Sequence, residues 1–292
     1  MGPPGFLSSQ DHALLMCMKM AAIQLNAQDN VAQNLEDAER WLDVAVEAGA
    51  QLLVLPEGFA FLGAEEERRR HAERLDGDGP ILSALMRWAK TRAIYLIAGG
   101  LPEEAGSGHA PYNTSVLLGP DGLLMAHYRK MHLFDVDLAD GTQLFESRGT
   151  SRGSLPSLAQ VEGVGVGMAI CYDLRFPEHF AWQRAQGAKI LTVPAAFTKT
   201  TGEAHWHVLL RARAIENQSY VIAAAQQGAH PHGRRTFGHA MIVDAWGRIV
   251  AEVTQPGPGV AVADFDEHAV DDVRARMPLS EHRHEYYSTK TP

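Results

Sequence analysis

Short apolar runs alternate with amphipathic stretches along most of this chain, and that alternation limits its fold more than any other feature. "MAAIQLN" reads as a buried strand. "NVAQNLEDAERWLDVAVEAGA" then carries Leu35, Ala38, Leu42, Ala45 and Val46 at helical spacing, with Gly49 placed to end the helix in the left-handed conformation. "QLLVLPE" is a strand stopped at Pro56, "GPILSALMRWAKTRA" a helix with Pro80 in its first turn, and "IYLIAGGL" another buried strand. "NTSVLLGPDGLLMAHYRK" reads as two strands joined by a Gly-Pro-Asp-Gly turn, and residues 138–162 as a long loop. "VGVGMAIC", "PEHFAWQRAQGA" and "KILTVPAAF" follow as strand, helix and strand. Thr200 and Glu203 have the spacing of a capping box and are expected to open the helix "EAHWHVLLRARAIENQ". "YVIAAAQ", "GHAMIVDAWGRIVAEV" and "GVAVADFD" read as strands, and a last helix covers about 267–276. The pattern implies an α/β chain, with mixed sheets covered by helices in one domain, 19–292. Residues 1–18 read as a loose N-terminal extension, with Met18 or Met20 a candidate initiator.

Bulk properties exclude several classes of function. The net charge of −9 disfavours nucleic acid and anionic membranes as partners, and no apolar run approaches the roughly 20 residues that span a bilayer. Two cysteines, Cys17 and Cys171, leave no disulfide framework and point to a reducing, cytoplasmic setting. Cys17 lies in the extension and is read as inert. There is no glycine-rich phosphate loop, and no cofactor is expected.

Three strands end on chemically useful side chains: "LLVLPE" on Glu57, "LLMAHYRK" on Lys130 and "GMAIC" on Cys171. Strand ends are where α/β folds collect reacting groups, because the sheet holds them rigidly. Singly each has a plainer reading. Cys171 suits a buried structural thiol, Lys130 a surface lysine beside Arg129, and Glu57 a helix-start carboxylate after Pro56. Together they form a nucleophile, a base that takes its proton, and a cation for the developing oxyanion.

The segments around them, "LPEGFAFLG", "YRKMHLFD" and "CYDLRFPE", resemble in order and spacing the three signatures of the nitrilase superfamily of carbon–nitrogen hydrolases. "PAAF", "HWHVLLRARAIENQ" and "GHAMIVDAWG" extend the resemblance over about residues 19–287. It implies a four-layer αββα sandwich, Glu57, Lys130 and Cys171 as catalytic triad, and a second supporting glutamate, Glu146 in "QLFES". It also implies a homodimer or higher homo-oligomer formed through the outer helices.

Tyr172 and Asp173 stand where true nitrilases usually carry Trp and Glu, which disfavours nitriles. The resemblance is greatest to the deaminated-glutathione amidase and ω-amidase branch. It implies hydrolysis of a small carboxylate-bearing amide through a cysteine thioester, with deaminated glutathione first, α-ketoglutaramate or an N-carbamoyl amino acid as alternatives, and a catalytically silent binding protein behind them. Such substrates need a cation in the pocket. Arg175 is the candidate, with an internal ion pair to Glu178 equally open. Tyr172, Phe197 and Thr201 are further candidate substrate contacts, although Thr201 also suits a helix start. The histidine pairs 205/207, 230/232 and 282/284 are read as surface or supporting groups. No cysteine or carboxylate set completes a zinc-like pattern with them, so no metal is expected.

Overall fold

The computed structural model describes residues 18–137 and 143–284. The first part of the chain forms β1 (Lys19–Leu25), α1 (Val31–Glu47), β2 (Leu52–Leu55), α2 (Pro80–Arg92), β3 (Tyr95–Glu103), β4 (Tyr112–Leu118) and β5 (Leu124–Arg129). Next come β6 (Asp135–Asp137), β7 (Gln143–Phe145), β8 (Ser157–Val161), β9 (Val164–Met168), α3 (Pro177–Ala185), β10 (Ala188–Thr192) and α4 (Lys199–Asn217). The chain continues with β11 (Tyr220–Ala223), β12 (Ala225–Ala229), β13 (Arg235–Phe237), β14 (Met241–Val243), β15 (Ile249–Glu252) and β16 (Gly259–Asp264). It closes on α5 (Glu267–Arg276) and α6 (Leu279–His282).

Among the described residues the strands make two large sheets. One has eight strands in the order β13-β12-β1-β2-β3-β4-β5, with β16 also pairing β1; the other has six, in the order β15-β14-β11-β10-β9-β8. Both keep a parallel centre, β1-β2-β3 in one and β9-β10-β11 in the other, and turn antiparallel toward the edges. The chain passes between sheets at Ala224, where β11 ends in one and β12 begins in the other.

Side-chain alternation explains the layering, because successive strand residues face opposite sides. On β1, Met20 and Ala22 face the second sheet, while Ala21, Ile23 and Leu25 face the helical side. The same split recurs on β2, with Leu52 and Val54 against Leu53 and Leu55. Both faces are apolar because both are covered, which is why these strands read as continuous apolar runs. Ala38, Leu42 and Ala45 of α1 and Leu85, Trp88 and Ala89 of α2 cover the outer face of the first sheet. Phe180 of α3 and Trp206, Leu210 and Ala214 of α4 cover the second. The result is the four-layer αββα sandwich that the sequence resemblance implies.

Local signals account for several element ends. Asn30 caps α1 through Gln33 N–H at 3.2 Å, Gly49 follows the helix at φ +85°, and Pro80 opens α2. Two readings are corrected. Residues 138–162 are not one loop: they contain β7, a 3₁₀ turn at Glu146–Arg148 and β8, residues 138–142 lying outside the described residues. β7 pairs only with the three-residue β6, so its apolar pattern is too short to read. The capping box is absent. α4 starts earlier, at Lys199 after Thr198, and Glu203 faces Lys199 at 3.6 Å instead of a backbone N–H. Met18 is buried, its carbonyl accepting the Phe265 N–H at 2.9 Å, while Cys17 and the rest of the proposed extension lie outside the described residues.

Among the described residues, no helix is long and apolar enough to cross a membrane.

Candidate active site

Glu57 follows β2, Lys130 follows β5 and Cys171 follows β9, so the two sheets together deliver the three side chains to one cavity. Glu57 and Lys130 come from the first sheet and Cys171 from the second. All three are buried.

A glycine bulge lets the sheets approach here. In β3 the pairing with β4 shifts register between Ala98 and Leu101, across Gly99 and Gly100. A Cβ on Gly99 would stand 2.0 Å from Pro194 Cβ of the cysteine sheet. Gly100 holds φ +76°, and a Cβ there would stand 2.6 Å from Asn113 Oδ1 and 3.0 Å from Glu57 Cγ.

Lys130 Nζ donates to Glu57 Oε1 at 2.8 Å and to Glu146 Oε2 at 2.9 Å. Asn113 Nδ2 bridges the same carboxylates, at 2.9 Å from Glu57 Oε1 and 3.1 Å from Glu146 Oε1. The Ala196 N–H holds Glu57 Oε2 at 2.9 Å, and the Phe134 N–H holds Glu146 Oε2 at 2.8 Å. Each carboxylate is thus aimed by a lysine, an amide and a backbone donor, which fixes it in one rotamer.

Cys171 opens a 3₁₀ turn, Cys171–Arg175, immediately after its strand, and its backbone takes φ +48°. A non-glycine residue pays for that conformation, and the surroundings hold it in place. The Cys171 N–H donates to Pro194 O at 2.9 Å. Asp173 stabilises the elbow from below: it accepts the Ile170 N–H at 2.8 Å, the Tyr128 hydroxyl at 2.8 Å and the His132 N–H at 3.2 Å, and its Oδ1 lies 2.6 Å from His132 Nδ1.

Charge sets the protonation states. Burial pushes the Glu57 carboxyl up, but the Lys130 charge and hydrogen bond, the Arg234 guanidinium and a hydrogen bond from Cys171 outweigh it and hold Glu57 at about 2. Burial pulls Lys130 down, but Glu146 and Glu57 more than compensate and hold it above its ordinary value. Burial and the Glu57 carboxylate push the Cys171 thiol well above its usual range, with Lys130 only partly opposing them. At rest the site therefore pairs a neutral thiol with an ionised carboxylate.

Tyr172, Phe197, Thr201 and Glu146 line the cavity with the three strand-end residues. Arg175 is not among the lining residues. Its guanidinium lies 5.2 Å from the Phe197 ring centroid and 5.9 Å from that of Tyr172, with both terminal nitrogens 3.4 Å from His205 Nδ1. No ion pair to Glu178 forms among the described residues. The cations that do line the cavity beside Lys130 are Arg68 and Arg234, which sequence reading passed over. Arg234 Nε is buried without a hydrogen-bond partner among the described residues, while its Nη2 is 3.5 Å from Ala196 O. Asn113 was missed as well. "YNTS" offered a polar run at a strand start as its only signal, and "HGRRTFGH" reads as a solvated turn.

The histidine reading changes in two places. His230 is buried, with Nδ1 2.7 Å from Ala27 O and Nε2 2.7 Å from Thr236 Oγ1, and burial lowers it to about 4. His205 and His207 do face different sides of α4, but His207 meets His239 and the Glu252 carboxylate, so a carboxylate does complete a set of ligating atoms.

The carbon–nitrogen hydrolase family model matches residues 19–275. A deaminated glutathione amidase from Synechocystis sp. is 44% identical over 270 residues, covering 90% of this chain and 97% of that protein. One from Dictyostelium discoideum is 39% identical over 266 residues, covering 89% and 91%. The crystal structure of Saccharomyces cerevisiae Nit3, a member of the nitrilase superfamily, superposes with a TM-score of 0.82 at 29% identity, covering 91% of this chain and 97% of that one. With this match over nearly the whole described fold, the chain belongs to the carbon–nitrogen hydrolase family.

Proposed function

We propose that the protein hydrolyses the amide bond of a small carboxylate-bearing amide, with deaminated glutathione the substrate that the names of its relatives favour. The observation that carries this reading is a buried thiol that shares one cavity with a fixed carboxylate and a fixed ammonium.

Cys171 Sγ attacks the amide carbonyl carbon as its proton passes to Glu57, so a free thiolate is not required at rest. Lys130 stands to stabilise the resulting oxyanion. The Cys171 N–H is committed to Pro194, so Tyr172 N–H is the next backbone donor along the chain able to join it. Glu57 returns its proton to the nitrogen as the C–N bond breaks, and an amine or ammonia leaves. Water then attacks the thioester with Glu57 as base, the carboxylic acid leaves, and the proton returns to sulfur. Glu146 and Asn113 hold Lys130 and Glu57 in register throughout.

Arg234 is the better candidate for the substrate carboxylate. It lines the cavity and has a buried guanidinium nitrogen to offer, whereas Arg175 supports the Phe197 and Tyr172 rings from outside. A free Cys171 thiol fits a reducing cytoplasm. A second copy of the chain is expected on the outer face of α4. There Val208 and Ile215, with Trp246, Ile249 and Val250 around the β14–β15 turn, expose an apolar surface of the kind that marks association. Sedimentation showing only monomer at micromolar concentration would remove that assignment.

A product-release panel tests the function: deaminated glutathione, α-ketoglutaramate, an N-carbamoyl amino acid, a simple aliphatic amide and a nitrile. Fastest turnover of the first is expected. A Cys171→Ala protein that still turned it over would overturn the nucleophile.

A further inference from the structure

Outside the catalytic cavity, three elements bring ligating atoms to one point. His207 of α4, His239 between β13 and β14, and Glu252 at the end of β15 place one ligand atom each within 4.8 Å of one another. His207 Nε2 lies 2.8 Å and His239 Nδ1 2.6 Å from the same oxygen, Glu252 Oε1.

The cluster is held, not merely adjacent. The Phe237 ring stacks on His239 at 4.4 Å between centroids and meets His207 edge-on at 5.9 Å. Trp206 Nε1 donates to the His239 carbonyl at 2.9 Å, and the Val253 N–H, next to Glu252, donates to Ala240 O at 2.8 Å. His239 itself sits at φ +59°, a left-handed conformation that costs a non-glycine residue stability and gathers where side-chain aim matters.

Two imidazole nitrogens and one carboxylate oxygen form the donor set of an open zinc site, and imidazole ligands favour zinc and its transition-metal neighbours over calcium or magnesium. We propose that His207, His239 and Glu252 bind a zinc ion. The ion takes the place of the two hydrogen bonds to Glu252: in each neutral ring the proton sits on the other nitrogen, so that His207 Nε2 and His239 Nδ1 offer lone pairs to the metal. With the two imidazoles about one-third exposed, at 34% and 31%, the remaining coordination position faces water.

The site's role is structural. None of its three residues lines the catalytic cavity, but His239 ends the segment that begins at Arg234, which does. That segment is already stitched to the cavity wall, with Phe237 N–H donating to Phe197 O at 3.0 Å. A bound ion clamps it to α4 and β15 and so stiffens the wall that carries Arg234.

The test is titration of the full chain with Zn²⁺ alone by calorimetry and with Co²⁺ by visible absorption. Wild type is compared with His207→Asn and Glu252→Gln, each shown to be folded by circular dichroism. The expected result is one more equivalent of Zn²⁺ bound by wild type than by either variant. A Co²⁺ spectrum without thiolate charge transfer should be lost in both, and a melting temperature that rises with Zn²⁺ only in wild type should accompany it. Equal stoichiometry in wild type and both folded variants, or no Zn²⁺ bound by wild type in tenfold excess, overturns the proposal.

Discussion

The Tyr128 hydroxyl donates to Asp173 Oδ2 at 2.8 Å, a bond between the lysine strand and the cysteine elbow. Tyr128 lies two residues before Lys130, and Asp173 two residues after Cys171. The distance between ammonium and thiol is therefore set by a buried contact that touches neither. Asp173→Ala strips the acceptor from donors on Tyr128, His132 and Ile170 and should cost about 3 kcal/mol or more of stability, read from the denaturant midpoint. Tyr128→Phe removes that bond and the hydroxyl that accepts the Met131 N–H at 3.1 Å, and should cost about 1–3 kcal/mol, with a loss of kcat that exceeds any change in KM.

Lys130→Met should lower kcat by about 10²–10³ or more, the usual cost of losing an oxyanion donor. It also leaves the Glu57 and Glu146 carboxylates facing each other without their shared cation. Adding Glu146→Gln to Lys130→Met should therefore recover stability without recovering turnover. Thermal melts and single-turnover rates on the two proteins separate these effects.

Removing the Arg234 guanidinium separates substrate anchoring from chemistry. Arg234→Met should raise KM for a carboxylate-bearing amide at least about tenfold, the scale of one charge-assisted hydrogen bond, and leave a neutral aliphatic amide nearly unaffected. Arg175→Met should disturb both substrates together, since it supports rings that serve either one. Steady-state kinetics on the two substrate types decides between them.

Glu57 stays ionised well below the ordinary carboxylate range because of Lys130 and Arg234. With its folded value at about 2, the stability its pairing contributes is present above the usual carboxylate value and is lost only as pH falls toward 2. The pH profile of kcat/KM should accordingly show no acidic inflection between about pH 4 and 5 from this group. An inflection there in wild type would contradict the assignment, whereas Arg234→Met, which removes part of the charge that holds Glu57 low, should move its titration upward.

His230 carries the opposite kind of sensitivity. Burial holds it neutral down to about 4, while the unfolded chain protonates near the ordinary 6.5. Its contribution is complete above about 6.5 and declines as pH falls through that window, by on the order of 3 kcal/mol at its lower end. His230→Gln should flatten the fall in stability between pH 6.5 and 4, at some cost at pH 7 because Ala27 O and Thr236 lose a well-fitted partner. Urea denaturation at several pH values measures both.

The parts of this site that sequence reading finds are those announced by a local break in pattern. Glu57 and Cys171 each end an apolar run, Lys130 ends a strand that opens apolar, and Gly49 and Pro80 mark helix ends by their own backbone preferences. Arg234 and Asn113 interrupt nothing. Arg234 meets Ala196 38 residues away and Asn113 meets Glu57 56 residues away, so only the packed sheets give those side chains a role. The start of α4 is hidden from the sequence for a related reason. Thr198 and Thr201 bond to each other at 2.6 Å inside the cavity wall, and that contact, not a capping box, fixes where the helix begins.

β1, the first described strand, pairs along most of its length with β16, the last, and at its far end with β12. Glu57 in turn takes its backbone donor from Ala196, 139 residues later, and gives its own carbonyl to Gln226, 169 residues later. A chain still leaving the ribosome can already hold all three reactive side chains and yet lack the Pro194, Ala196 and Gln226 contacts that fix Cys171 and Glu57. The amidase centre is thus a product of completed synthesis, and a truncated polypeptide bearing Glu57, Lys130 and Cys171 should remain chemically silent.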